Sequence, residues 1–226
     1  MKPSRPLVAP LLNLALGFLK GSGPALTFGL SFEVKIGADI LYSIHRMSAL
    51  SGGITEVKDY PLSDGDIRQI LGDDIKILTY PDLGKLKDWR GMFDAKGRCI
   101  LLFLTMSPTA GHWCCMLNKQ KGIEFFDPYG EPPGEILDEL PRQRLEALDQ
   151  DSPYLANLLR QSGRPVFYNT HAFQKDKAGV NTCGRWCVAR CLYAPNSLEY
   201  FKSVIDKSGM SGDDFVGALT ADALGK

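Results

Sequence analysis

His112, Asp127 and Cys183 are the residue types that thiol catalysis requires: a sulfur to attack, an imidazole to move its proton, and a carboxylate to orient the imidazole. The first two lie on GHWCCMLNKQKGIEFFDPYG, which reads as a hairpin. Trp113 to Asn118 and Ile123 to Asp127 have strand composition, a polar turn separates them, and Pro128 stops the second. With Lys119 and Gln120 at the turn centre, Asn118 pairs with Lys121, and His112 falls directly opposite Asp127 on one face, with Cβ atoms about 5 Å apart. A carboxylate at that range accepts one imidazole N–H, fixes the tautomer and leaves the other ring nitrogen free to take a proton.

The thiol comes from VNTCGRWCVARC. Asn181 and Thr182 are N-cap residue types, so Cys183 is expected in the first turn of a helix running to Tyr193. There the helix dipole and a neighbouring imidazolium both favour the thiolate. Gly184 is expected to leave room for a substrate carbonyl, and first-turn N–H groups, with no partner inside the helix, are candidates for an oxyanion hole. His171 is a rival base with only Asp176 as a near carboxylate, and it reads as a surface or substrate-contacting residue.

The order His, Asp, Cys, with Trp113 after the histidine, Gln174 upstream of the cysteine and Gly184 after it, resembles the adenovirus-type cysteine proteases and their ubiquitin-like-protein-specific relatives. FFDPYG, with YNTHAFQ before the cysteine, is most similar to the capsid-maturation proteases of large DNA viruses and virophages. The resemblance covers Leu62 to Tyr193 and implies a catalytic triad of His112, Asp127 and Cys183. It further implies an oxyanion hole from Gln174 and the backbone of Cys183 and Gly184, and a substrate cleft at Trp113 and Gly184. The implied reaction is cleavage of capsid or core precursors at Gly-containing sites, in the virion or host cytoplasm, without metal or organic cofactor. An activating peptide is a possible partner in such a family. The rival readings are a protease of Gly-Gly-tailed ubiquitin-like modifiers and a catalytically silent virion scaffold.

Composition sets bounds on these readings. At 226 residues and 44% hydrophobic content the chain supports one sizeable core. Lysine plus arginine and aspartate plus glutamate balance at 26 each, so net charge gives no support for a nucleic-acid partner. Six cysteines at this length fit a reducing compartment. Cys183, Cys187 and Cys191 share a helix face, where a zinc site would need His171 or Cys115 as fourth ligand; small apolar core residues explain Cys187 and Cys191 more simply.

The elements that must position these groups are those of an α+β fold: a central mixed sheet flanked by helices, with the nucleophile helix packed on it. Ser63 caps a short helix with Ile67, Ile70 and Leu71 facing inward. Ile75 to Tyr80 and the unbroken apolar run Cys99 to Thr105 are strands, the second central. Helices are expected from the prolines of EPPGEILDEL, over Tyr154 to Gln161 and over Ser211 to Leu224, with a strand from Pro165 to Tyr168. Ahead of these, Ile36 to Met47 has helical spacing. Residues 1–30 read as an apolar N-terminal extension and 31–226 as one protease domain. The extension is a possible propeptide, targeting segment or membrane-surface anchor, too short to span a bilayer. Leu19-Lys20-Gly21-Ser22 before Gly23 and Leu50-Ser51-Gly52-Gly53 before Ile54 match the Gly-containing cleavage pattern of the resembled family, the first placed to release 22 residues.

Overall fold

A computed structural model describes residues Ile54–Leu224; the N-terminal extension, the Ile36 to Met47 helix and both candidate self-cleavage sites lie outside the described residues. Five strands form one sheet in chain order: β1 (Lys76–Thr79), β2 (Arg98–Ser107), β3 (Ala110–Lys119), β4 (Gly122–Phe126) and β5 (Val166–Tyr168). The two outer pairs are parallel and the two inner pairs antiparallel, so the sheet is mixed.

Both faces of the sheet are covered, which is why β2 reads as a continuous apolar run. Ile100, Leu102 and Leu104 point to one core and Cys99, Leu101 and Phe103 to the other. The first core is closed by four helices: α2 (Asp64–Leu71), α6 (Cys183–Leu192), α7 (Leu198–Ser208) and α8 (Gly212–Leu224). The second is closed by α5 (Tyr154–Ser162) and two 3₁₀ turns, Tyr80–Lys85 and Trp89–Met92. Shorter helices are α1 (Ile54–Asp59), α3 (Glu135–Asp138) and α4 (Arg142–Ala147). The α+β class, the central place of β2 and the inward Ile67, Ile70 and Leu71 agree with the sequence; α4 and α7 have no counterpart in it.

Ser63 caps α2 in a full capping box, its hydroxyl taking the Asp66 N–H while Asp66 takes the Ser63 N–H. At the far end of α6, fully buried Arg190 grips Glu124 of β4 through two hydrogen bonds of 2.6 and 3.0 Å. This fork ties α6 to the same strand that leads to Asp127. Among the described residues no helix is long and apolar enough to cross a membrane.

Candidate functional site

The β3–β4 turn lies one residue later than the sequence suggests, which shifts every pairing partner by two. Lys119 pairs with Gly122 and Asn118 with Ile123, so the turn is centred on Gln120 and Lys121. Carried forward, this register sets Asp127 opposite Cys114 and diagonal to His112. The displacement is even, so His112 and Asp127 remain on one face of the pleat. The diagonal is short enough for an imidazole: His112 Nε2 lies 3.2 Å from both carboxylate oxygens of Asp127.

Both residues are buried, at 7% and 2% exposure, so each needs the other. The Cys183 thiol at the start of α6 is the imidazole's other neighbour, and the two side chains shift each other's pKa. With Nε2 committed to Asp127, Nδ1 is the nitrogen left to exchange a proton with the sulfur. Burial alone would lower the His112 pKa, but the Asp127 hydrogen bond, with Cys183 behind it, raises it to about 9. Burial pushes the Cys183 thiol up; the hydrogen bond and charge of His112, then the backbone of Trp113 and of Gly184, outweigh it and bring the pKa below the ordinary thiol value. Asp127 is likewise held below the usual carboxylate range: burial opposes this, and His112, Cys114 and the Tyr129 N–H prevail. Both shifts run in the direction that favours an imidazolium–thiolate pair.

No family model matches the chain. It is 36% identical over 146 residues to a protein of Sputnik virophage named uncharacterized protein V9, an alignment covering 64% of this chain and 83% of the virophage protein. The chain belongs to the V9 family. That relationship sets it in a viral context.

In this V9-family chain a second tier of contacts, which sequence reading missed, holds the three residues. Asn169, just beyond β5 and 2% exposed, accepts the Asp127 N–H at 3.0 Å and donates to the Asp127 carbonyl at 2.6 Å and the His171 carbonyl at 3.0 Å. Tyr129 gives its N–H to Asp127 Oδ1 at 2.7 Å and stacks its ring on His112, with centroids 5.0 Å apart and planes at 21°. Burial, followed by the Cys183 charge, pushes the Tyr129 phenol up to about 12, so it stays a neutral hydroxyl. Cys114 donates its S–H to Asp127 Oδ2 at 3.1 Å. Tyr129 and Asn169 belong to DPYG and YNTHAFQ, the two phrases that carry the resemblance, which was the available signal for both.

The start of α6 departs from expectation. Neither Asn181 nor Thr182 caps the helix with its side chain. Thr182 has φ −99° and ψ 3°, outside the extended region a capping side chain needs, and its hydroxyl goes instead to Asp213 at 2.6 Å. Asn181 donates to the Asp59 carbonyl at 3.0 Å. Asp213, 3% exposed on α8, also accepts from Trp186 Nε1 at 3.0 Å and from the Lys175 N–H at 3.2 Å, so it joins α6 to the Gln174 loop.

Gly184 is buried, and its missing side chain lets α6 pack closely on its neighbours. A Cβ there would meet Trp113 Cδ1 at 3.1 Å and Leu62 Cβ at 3.2 Å. Trp113 is itself 8% exposed and donates its indole N–H to the Leu62 carbonyl at 3.1 Å, which makes it a floor beneath the helix start rather than an open cleft wall. Gln174 is 4% exposed, and its Nε2 donates to the Tyr129 hydroxyl at 3.0 Å and the Val180 carbonyl at 3.1 Å. Its backbone N–H and that of Phe173 both bond the Pro128 carbonyl, which brings the loop against the DPYG turn. Gln174 Oε1 is buried without a partner among the described residues. The Gln174 amide thus sits on the tyrosine that stacks against His112, with both its hydrogens engaged.

His171 is exposed and meets Phe173 edge-on at 4.9 Å. The helix-face cysteines separate: Cys183 faces His112, while Cys187 and Cys191 are buried with Cys115 between α6 and the sheet. Among the described residues the set with metal-ligand spacing is His112, Cys114 and Asp127, whose donor atoms lie within 4.8 Å of one another. Two protons, on Nε2 and on the Cys114 sulfur, already bridge these atoms to the carboxylate.

Proposed function

We propose that the chain is a cysteine endopeptidase with Cys183 as nucleophile, His112 as general base and acid, and Asp127 as the group that orients His112. The observation that carries this reading is the single imidazole placed between a buried carboxylate and a thiol whose pKa is lowered. In the proposed cycle the Cys183 thiolate attacks a peptide carbonyl and the electron pair moves to the carbonyl oxygen. The tetrahedral adduct collapses to a thioester as His112 gives its proton to the departing amine. His112 then takes a proton from water, the hydroxide attacks the thioester, and the acid product leaves Cys183 free.

The Cys183 N–H at the start of α6 is the first oxyanion donor in this reading. The Gly184 backbone contacts the resting sulfur and becomes available as that sulfur forms its bond to carbon. Gln174 joins by exchanging the Tyr129 hydroxyl or the Val180 carbonyl for the oxyanion. No metal or organic cofactor takes part in any of these steps.

The substrates that the resemblance implies are capsid or core precursors cut at Gly-containing sites, and the virophage relative supports that setting. Incubating the enzyme with a virophage capsid precursor, with Cys183→Ala in parallel, tests this. Cleavage in the wild-type arm alone is expected. No cleavage, together with covalent capture of Cys183 by a ubiquitin or SUMO vinyl-sulfone probe, would move the assignment to a protease of ubiquitin-like modifiers; a Cys183 silent toward every thiol reagent would leave a scaffold.

A further inference from the structure

Asp127 has one more donor than a triad needs. Its carboxylate takes the His112 Nε2–H and the Tyr129 N–H, and Oδ2 also takes the thiol of Cys114 at 3.1 Å. Oδ2 is therefore shared between the histidine, at 3.2 Å, and a cysteine. Cys114 is fully buried on β3, two residues beyond His112 on the same face of the strand, and the ladder register sets it opposite Asp127. It has no route to a substrate and is not a nucleophile. Burial, and then the Asp127 charge beside it, push its pKa well above the ordinary thiol value, so its proton stays on sulfur throughout the working pH range.

We infer that Cys114 is a positioning residue whose S–H holds Asp127 Oδ2 and draws off part of the carboxylate charge, setting how strongly Asp127 grips the His112 imidazolium. This rests on the proposed catalytic reading of the triad. Two donors on one carboxylate oxygen share its charge, so removing one strengthens the other. The Tyr129 N–H still anchors Oδ1 when Cys114 is changed, which leaves the charge on Nε2–H as the quantity altered. Serine keeps an O–H donor at this position and alanine does not. Packing alone would make serine and alanine alike, both being smaller than cysteine.

The test is a histidine NMR titration of wild type, Cys114→Ser and Cys114→Ala; the chain has three histidines, and His112 is assigned by its loss in His112→Gln. The inference predicts a His112 pKa raised on the order of half a pH unit in Cys114→Ala and unchanged in Cys114→Ser. An unchanged value in Cys114→Ala, or equal shifts in both variants, overturns it. Should Cys114→Ala fail to fold, the infrared S–H stretch of wild type decides. The band lost in Cys114→Ser must lie below those of the other buried thiols and move up in Asp127→Asn, and a band that does neither contradicts the hydrogen bond. Neither readout needs a substrate. A protein without proteolytic activity that shows the shift keeps Cys114 and loses the protease, whereas an active protease without the shift loses only Cys114.

Discussion

Asp127 reaches His112 across a diagonal of the β3–β4 ladder, with Nε2 3.2 Å from both carboxylate oxygens and Tyr129 N–H fixing one of them at 2.7 Å. An amide in place of the carboxylate can offer its NH₂ to Nε2, which stabilises the tautomer that points its proton at the sulfur. Asp127→Asn is expected to keep the circular-dichroism spectrum and lower kcat by about 10⁴-fold, the scale found when a triad carboxylate becomes an amide. Turnover of a Gly-containing peptide before and after the change checks this, and near-normal turnover would remove Asp127 from the triad.

The pH dependence follows from two opposite displacements. The Cys183 pKa is lowered and the His112 pKa is raised to about 9, so the ion pair persists between them. As pH falls through the lowered Cys183 value the thiolate is lost; as pH rises through about 9 the imidazolium is lost and the thiolate stands unpaired. In His112→Ala the lowering contacts with the imidazole are gone and burial remains, so the Cys183 pKa rises. Iodoacetamide labelling followed by peptide mapping should show Cys183 modified ahead of the other five cysteines at neutral pH, and at least about tenfold more slowly in His112→Ala.

Asn169 is expected to matter for both stability and rate. Its Nδ2 donates to the carbonyls of Asp127 and His171, and Asn169→Asp sets a carboxylate oxygen against both. A loss of about 2–3 kcal/mol in urea unfolding is expected, the scale of buried groups left mismatched. A drop in kcat under conditions where the variant remains folded is expected beside it, because the Asp127 backbone loses its clamp.

Gly111 precedes His112 opposite the β2 irregularity, and a Cβ there would overlap the Phe103 carbonyl oxygen. Backbone bounds both sides of that contact, so the strands must part to admit a methyl. Gly111→Ala should cost at least about 2 kcal/mol by thermal or urea unfolding. Stability equal to wild type would mean that the ladder beside His112 is not as close as described.

The features legible in the sequence share a physical basis: they depend on period and local chemistry. The apolar run of β2 and the Ser63 N-cap are each decided within a few residues. The hairpin register was displaced by two, since nothing local chooses between turns centred on Lys119-Gln120 and on Gln120-Lys121. Side chains alternate with a period of two, so the face survived the displacement while the residue opposite Asp127 became Cys114. The Asn169 clamp and the Asp213 bridge join segments 42 and 31 positions apart, and they form only because β5 returns parallel to β4 and α8 packs across α6. Thr182 shows the same limit in reverse. A capping residue type at a helix start went elsewhere because a buried carboxylate lay within reach.

Incubation with a proteome-derived peptide library, read by mass spectrometry of new termini, measures peptide-bond cleavage with no assumption about the natural substrate. Wild type and Cys183→Ala are run side by side. New termini with glycine near the scissile bond are expected in the wild-type arm, absent from the Cys183→Ala arm and abolished by prior alkylation of Cys183. Identical termini in both arms, from wild-type protein whose Cys183 still alkylates faster than its other thiols, would contradict it.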